Sequence, residues 1–115
     1  MSQRAYEVKV KKVKKKSVCS CMDLPPKMKK FYTYIENLDE LTLGRYVRWI
    51  KLSDLTKIYT GGFLVLIGDV CTCKNGKGAL FTFVFDDCVV FQKMSNDELI
   101  VKYAKEIASQ TEKKR

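Results

Sequence analysis

The chain has 115 residues, of which 46% are hydrophobic, and its formal net charge at neutral pH is +9. This length predicts a single domain with a modest core. The sequence contains no histidine, which excludes histidine acid–base catalysis, Ser-His and Cys-His nucleophile pairs, and the commonest metal ligand. Because no pair of carboxylates indicates a catalytic site either, we expect a non-enzymatic protein without a cofactor.

The positive charge is concentrated near the N-terminus. Residues 1–30 carry ten basic and two acidic residues, whereas residues 31–110 carry nine basic and ten acidic residues. We therefore expect a basic extended N-terminal arm over residues 1–30 and a single β-rich globular domain with a C-terminal helix over residues 31–110. A short basic tail, residues 111–115, follows. A cationic arm of this kind is suited to a large acidic partner.

The arm has a strand-like pattern. Apolar and charged residues alternate over residues 6–11, which predicts a strand with one apolar and one basic side, although a solvated tail is the alternative. Pro25-Pro26 predicts an extended link without helix, so the domain should begin near Phe31. The lysines of the arm would neutralise nucleic-acid phosphates or contact an acidic protein surface. These candidate binding residues are Lys9, Lys11, Lys12, Lys14, Lys15 and Lys16.

Several short strands are predicted after the arm, from β-prone composition and alternating polarity. They cover residues 31–35, 45–52, 63–67 (with a possible continuation through 70–73), 79–85 and 88–91. Gly61-Gly62 should break the chain before the third strand, and Asn75-Gly76 predicts a type I′ hairpin turn. The alternating Phe81, Phe83 and Phe85 are expected to be core residues.

One helix is predicted, and it lies near the C-terminus. Ser95 and Glu98 have the spacing of a capping box, and apolar residues then recur at helical spacing to about residue 109. We expect this apolar stripe to pack on the sheet. The fold class is therefore α+β to mainly β: a small bent antiparallel sheet or barrel of about five strands with one C-terminal helix.

The strand over residues 45–52 allows two interpretations. Arg45, Arg48 and Trp49 have the composition of interface hot spots and of platforms that stack nucleic-acid bases. Alternatively, Trp49 is buried while the arginines extend over aromatic rings to water.

The chain has five cysteines, an odd number that argues against a closed disulfide framework. The main prediction is reduced cysteines that act as small hydrophobic residues, with Cys88 in the core. Two Cys-x-Cys pairs leave open a tetrahedral zinc site if the two segments meet in space, or a bridge between them. The possible zinc ligands are Cys19, Cys21, Cys71 and Cys73.

The longest apolar run, residues 63–67, is much shorter than the roughly 20 residues that a membrane-spanning helix needs. The N-terminal lysines are not followed by the apolar segment of a signal peptide. We therefore expect an intracellular protein that is neither secreted nor membrane-spanning.

The sequence also resembles a viral family. The run Leu43-Gly44-Arg45-Tyr46-Val47-Arg48-Trp49-Ile50, followed by Leu55 and Gly61-Gly62-Phe63-Leu64, is similar to a pattern in small basic proteins of large double-stranded DNA viruses. The resemblance covers about residues 43–91 and implies an SH3-like barrel, no catalytic residues, and a virion or minor capsid protein in the virion or host cytoplasm.

These observations predict a non-enzymatic structural component of a large assembly. The barrel would dock on neighbouring protein subunits, and the basic arm would anchor along them or reach nucleic acid. The alternative is a free nucleic-acid-binding protein that uses the arm together with the Arg45, Arg48 and Trp49 surface.

Overall fold

The computed structural model describes residues 2–113, and it describes side-chain surroundings for residues 10–20 and 22–108. Within this part of the chain, an antiparallel sheet of six strands is accompanied by three α-helices, one of them C-terminal. The predicted class, α+β to mainly β, is confirmed. The elements are α1 (Ser2–Cys21), α2 (Pro26–Phe31), β1 (Tyr32–Ile35), β2 (Tyr46–Lys51), β3 (Asp54–Leu66), β4 (Val70–Lys74), β5 (Leu80–Val84), β6 (Cys88–Lys93) and α3 (Asn96–Lys113).

The strand order is β1-β6-β2-β3-β4-β5, and every neighbouring pair is antiparallel. Short 3₁₀ turns lie at Leu38–Glu40 and Phe85–Asp87. The last strand, β6, lies between β1 and β2. Among the described residues, β1 and β5 are therefore the two edges of an open sheet.

The sheet is strongly curled. The Trp49 ring in β2 stacks on the Phe83 ring in β5 with centroids 4.5 Å apart, although β3 and β4 lie between these strands. In a flat sheet, three strand spacings would separate them by about 14 Å. The inner face therefore curves around one set of buried side chains.

The two faces of the sheet have separate cores. The inner core, on the concave face, consists of Ile35, Leu41, Val47, Trp49, Leu64, Cys71, Cys73, Phe83, Phe85, Cys88 and Val90. The outer core contains Met28, Ile50, Val89 and Phe91, against which Val18, Cys19 and Met22 of the N-terminal region pack. The N-terminal helices thus cover the outer face near β1, β6 and β2.

The prediction of an extended N-terminal arm is wrong for the secondary structure, because Ser2–Cys21 is an α-helix. Residues 2–24 contain no glycine or proline, and the residues that face the sheet, Lys15, Val18, Cys19 and Met22, follow helical spacing. Pro26 begins α2, at a position where the backbone N–H has no partner within the helix, so proline loses no hydrogen bond there. Met28 is 1% exposed, so the globular unit starts before Phe31.

The glycine pair does not break the chain, because β3 runs through it. The pairing of β2 with β3 shifts at this point: Val47 lies opposite Gly62, and Arg48 lies opposite Thr60, which leaves Gly61 as a bulge. A Cβ on Gly61 would lie 2.2 Å from Cζ3 of Trp49. Gly62 has φ +101°. Both positions therefore need glycine, for space and for conformation respectively.

The β4–β5 hairpin is present, but its turn is not of type I′. That turn needs positive φ at both central residues, whereas the positive φ in this loop is at Gly78. Asn75 donates its backbone N–H to the Ala79 carbonyl at 3.0 Å. Its side-chain oxygen accepts the N–H groups of Lys77 and Ala79, each at 2.9 Å. A five-residue loop organised by one asparagine therefore replaces the tight turn.

The C-terminal helix begins at Asn96 as predicted, and the Glu98 N–H donates to Ser95 Oγ at 3.2 Å. The helix continues to Lys113, so the predicted basic tail begins inside it; residues 114 and 115 lie outside the described residues. The expectation that its apolar stripe packs on the sheet is wrong. Ile100 is 65% exposed and Ile107 is 64% exposed.

Candidate docking surfaces

Four of the five candidate binding lysines whose side chains are described contact the sheet domain instead of extending from it. Lys14 is exposed, and Lys9 lies outside the residues whose side chains are described. Three others reach polar side chains: Lys11 Nζ to Asp87 at 2.7 Å, Lys12 Nζ to Asn37 at 3.0 Å, and Lys16 Nζ to Glu36 at 2.9 Å. The charges of Lys11 and Lys16 are therefore balanced by carboxylates within the chain.

Lys15 is buried, with 2% of its surface exposed. Its Nζ donates to the Phe85 carbonyl oxygen at 2.6 Å and lies 4.4 Å from the centroid of the Phe85 ring. Loss of hydration lowers the pKa of the Lys15 ammonium, and the nearby Asp86 carboxylate opposes this shift. Lys15 therefore fastens α1 to the turn before β6 and is not presented to a partner.

The three residues of the predicted Arg/Trp surface lie in different surroundings. Trp49 is 3% exposed, and its ring stacks on Tyr59 and on Phe83. The structure therefore agrees with the interpretation in which Trp49 is buried. Arg48 lies on the opposite face of the strand, over the Tyr32 ring at 5.0 Å. Arg45 forms an ion pair with Glu98 at the start of α3. The three side chains do not form one platform.

The described cysteines are free thiols in two separate places. Cys71, Cys73 and Cys88 are buried in the inner core, whereas Cys19 packs against the outer core. Cys21 lies outside the residues whose side chains are described. No group of three or more His, Cys, Asp or Glu residues that could hold a metal ion occurs among the described residues.

Burial keeps the inner thiols protonated. Loss of hydration raises the pKa of Cys73 to about 12 and the pKa of Cys88 to about 11. Cys88 borders a cleft of about 300 Å³ beside β5, which Lys51, Ser53 and Thr82 also line. At neutral pH this cleft therefore presents a protonated thiol, which is a poor nucleophile.

An exposed apolar feature lies on α3. Ile100, Tyr103, Ala104 and Ile107 have the i, i+3, i+4, i+7 spacing of one helix face, and all four are exposed. We call them the α3 stripe. The sequence pattern identified these residues, but it did not show that the sheet leaves them exposed.

Few side-chain bonds join α3 to the rest of the described chain. Besides the Arg45–Glu98 ion pair, Lys102 Nζ donates to the carbonyl oxygens of Lys29 and Lys30 at 2.7 and 3.4 Å. These carbonyls belong to the end of α2, where a cation is favourable. Both attachments lie away from the α3 stripe, so α3 is held beside the domain with its apolar face outward.

A shallow groove between α2 and α3 adjoins the stripe. It has a volume of about 390 Å³ and is lined by Pro26, Lys29, Lys30, Lys102, Tyr103 and Glu106. Three of these residues are lysines and one is acidic. The exposed apolar stripe is therefore bordered by net positive charge, a composition suited to an acidic partner with an apolar centre.

No helix among the described residues is long and apolar enough to cross a membrane. Comparison of the chain with protein-family models, with curated proteins and with solved structures finds no significant match.

Proposed function

We propose that this protein is a non-enzymatic structural component of a large assembly, and that it docks on a neighbouring subunit through the α3 stripe. The observation that carries the proposal is the exposure of this stripe, with Ile100 at 65% and Tyr103 at 37%. Helices in proteins gain most of their stability from packing an apolar face. Because the sheet leaves this face uncovered, a subunit of the assembly supplies the missing surface.

The neighbouring subunit has an apolar centre and an acidic rim. Lys29, Lys30 and Lys102 border the groove beside the stripe, and Lys27 on α2 is also exposed. Opposite charges around an apolar centre orient the two surfaces and exclude wrong partners.

The assembly that we propose is the virion of a large DNA virus, in which the protein is a minor capsid or other virion component. The sequence resemblance over residues 43–91 supports this proposal. It also implies that the sheet belongs to an SH3-like barrel. The curled inner core, in which Trp49 stacks on Phe83 across two intervening strands, is compatible with that architecture. The protein would then be present in particles and in the host cytoplasm where they assemble.

The test measures incorporation of two matched variants. Ile100→Asp places a charge in the α3 stripe, whereas Val101→Asp places the same charge on the neighbouring residue, which is 54% exposed and lies on another side of the helix. Both remove an exposed β-branched residue, so their effects on helix propensity are alike. Each variant is produced in infected cells and quantified by mass spectrometry in purified particles.

We expect the wild-type chain and Val101→Asp at equal copy number in particles, and Ile100→Asp reduced at least tenfold. Circular dichroism of the isolated variants checks that both domains remain folded. Equal incorporation of the two variants would show that the α3 stripe does not bind the assembly. Absence of the wild-type chain from particles would contradict the structural role.

A second candidate function, free nucleic-acid binding, is favoured by the exposed lysines that remain on α1 and α2, Lys14, Lys27, Lys29 and Lys30. Binding would be to phosphates, with a strong salt dependence. A labelled oligonucleotide titrated at low and moderate salt separates the candidates. Affinity that is weak and vanishes at moderate salt fits the structural role, whereas tight binding reduced by Lys14→Gln would favour the second function.

A further inference from the structure

Aromatic and basic side chains form a row across the outer face of the sheet. Tyr32 lies opposite Lys93 in the pairing of β1 with β6. Phe63 lies opposite Tyr46 on one side and opposite Lys74 on the other. Residues that lie directly opposite each other share a face of the sheet, and Lys93 Nζ, 5.7 Å from the centroid of the Tyr46 ring, joins the two sets. We call these five residues the outer-face row.

Most of the outer-face row is accessible. Tyr32 packs against the outer core that the N-terminal helices cover, but Tyr46 is 47% exposed, and Lys74 and Lys93 are exposed. The rings of Tyr46 and Phe63 meet edge to face with their centroids 6.2 Å apart, so part of the Tyr46 ring surface remains available. The contact of Lys93 with that ring is a cation–π contact at an exposed site, which is weak enough for a ligand to replace.

The positive charge of this face is not neutralised by the chain itself. The six strands carry five basic residues and one acidic residue, which lies at the start of β3. Arg48, over the Tyr32 ring at 5.0 Å, adds a third cation beside the row. Within the part of the chain that the structure describes, Arg48, Lys74 and Lys93 form no ion pair with a carboxylate. An anionic ligand would therefore supply the missing counter-charge.

We infer that the outer-face row binds single-stranded nucleic acid. Tyr46 and Phe63 stack on bases, while Lys74, Lys93 and Arg48 hold phosphates; this combination of aromatic and basic side chains is what sequence-independent binding of single strands uses. Lys93 and Lys74 are three strand spacings apart, about 14 Å, so they contact phosphates on the two sides of the stacked bases. A duplex keeps its bases stacked on one another and would leave the two rings without a ligand.

This surface is separate from the two surfaces considered above. The outer-face row shares no residue with the α3 stripe, so binding of nucleic acid does not depend on the docking of α3. It also differs from the exposed lysines of α1 and α2, which offer charge without an adjacent accessible ring. With three cations at the site, the logarithm of the affinity should fall with the logarithm of the salt concentration at a slope of about −2.

The first measurement is fluorescence anisotropy of labelled oligo(dT), oligo(U) and a duplex of the same length, titrated with the full chain at low salt. Both single strands should bind saturably and at least about tenfold more tightly than the duplex. Tyr46→Leu keeps an apolar side chain beside Phe63 but removes the ring, and should weaken binding at least about fivefold. Tyr103→Leu removes a ring of similar exposure, 37%, from α3, and should bind like the wild-type chain.

The second measurement separates phosphate contacts from base stacking through the salt dependence. Lys93→Gln should reduce the magnitude of the salt slope by about 0.7, the contribution of one phosphate contact on a single strand. Tyr46→Leu should lower the affinity without changing the slope. Lys14→Gln removes the same charge from an exposed position on α1 and should change neither quantity. An oligonucleotide that contains iodouracil should cross-link on irradiation to the peptide that contains Tyr46, and circular dichroism checks that each variant is folded.

Absence of saturable binding of either single strand at low salt overturns the inference. So does a duplex that binds as tightly as the single strands, because the bases then contribute nothing. A folded Tyr46→Leu variant that binds like the wild-type chain has the same consequence; if this variant does not fold, an unchanged salt slope in folded Lys93→Gln overturns the inference instead. Binding that Lys14→Gln weakens and Lys93→Gln does not would place the nucleic acid on α1 and not on the outer-face row.

Discussion

The ammonium group of Lys15 donates to the Phe85 carbonyl oxygen at 2.6 Å and lies 4.4 Å from the centroid of the ring of the same residue. This contact connects α1 to the turn between β5 and β6. A buried carbonyl that loses its donor costs free energy, and the lysine stem also packs against the domain. Lys15 is therefore one of the residues that attach the N-terminal helix to the folded unit.

Lys15→Ala should lower the free energy of unfolding by about 1–3 kcal/mol, because Phe85 loses its buried hydrogen-bond donor. Lys14→Ala, at the exposed neighbouring position, should change it by less than about 0.5 kcal/mol. Urea unfolding followed by circular dichroism measures both. Equal stability of the two variants would mean that α1 is not docked through Lys15.

Gly61→Ala should be strongly destabilising, since a Cβ there would lie 2.2 Å from the Trp49 ring. We expect a loss of about 1–3 kcal/mol in the free energy of unfolding and altered fluorescence of Trp49, the one tryptophan in the chain. Gly76→Ala is the control, because nothing lies within 4 Å of its Cβ position. A tolerated Gly61→Ala would contradict the packing of β3 against Trp49.

Alkaline pH should destabilise the fold through the buried thiols. The folded-state pKa values of Cys73 and Cys88 are raised to about 12 and about 11, from an ordinary value of 9.0. Above pH 9 the unfolded chain releases these protons while the folded chain holds them. The stabilisation is therefore complete below pH 9 and is lost as the pH rises toward 11–12.

The size of this effect can be isolated by removing one thiol. Each buried thiol should contribute about 1.4 kcal/mol per pH unit to the loss between its two pKa values. Cys73→Ala should thus show a shallower decline of stability between pH 9 and 11 than the wild-type chain, whatever its stability at pH 7. Parallel declines would contradict the burial of Cys73. Lys15, whose pKa is lowered, acts in the opposite direction in both proteins.

The Arg45–Glu98 ion pair should affect the position of α3 more than global stability. Both side chains are partly exposed, at 28% and 42%, and such pairs contribute about 0.2–1 kcal/mol. A double-mutant cycle with Arg45→Ala and Glu98→Ala should return a coupling energy in this range. A coupling near zero would indicate that the two side chains do not hold the helix to the sheet.

The strands and the C-terminal helix could be predicted because they depend on local signals. The alternation in residues 45–52 corresponds to β2, and the Ser95–Glu98 spacing marks the start of α3. The glycine pair was misinterpreted because a bulge and a chain break share one local signal. Only the position of the Trp49 ring, which belongs to another strand, distinguishes them.

The N-terminal region and the docking surface depend on tertiary contacts that periodicity does not contain. Six alternating residues predicted a strand. The region is instead a helix whose Lys15 and Val18 contact the sheet domain. The helical spacing of the α3 stripe was predicted correctly, but this spacing does not identify the surface that covers the stripe. Similarly, Phe81 alternates with two core residues and yet is 41% exposed, because it lies near the end of an edge strand.

Amide hydrogen exchange of α3 tests the central claim most directly. The full chain is compared free in solution and within purified particles, and exchange is followed in peptides that cover residues 96–108. We expect rapid exchange in the free chain, because the apolar face of α3 has little packing, and at least tenfold slower exchange in the particle. Equal exchange of α3 in the two states would contradict the proposal that the protein docks through this helix.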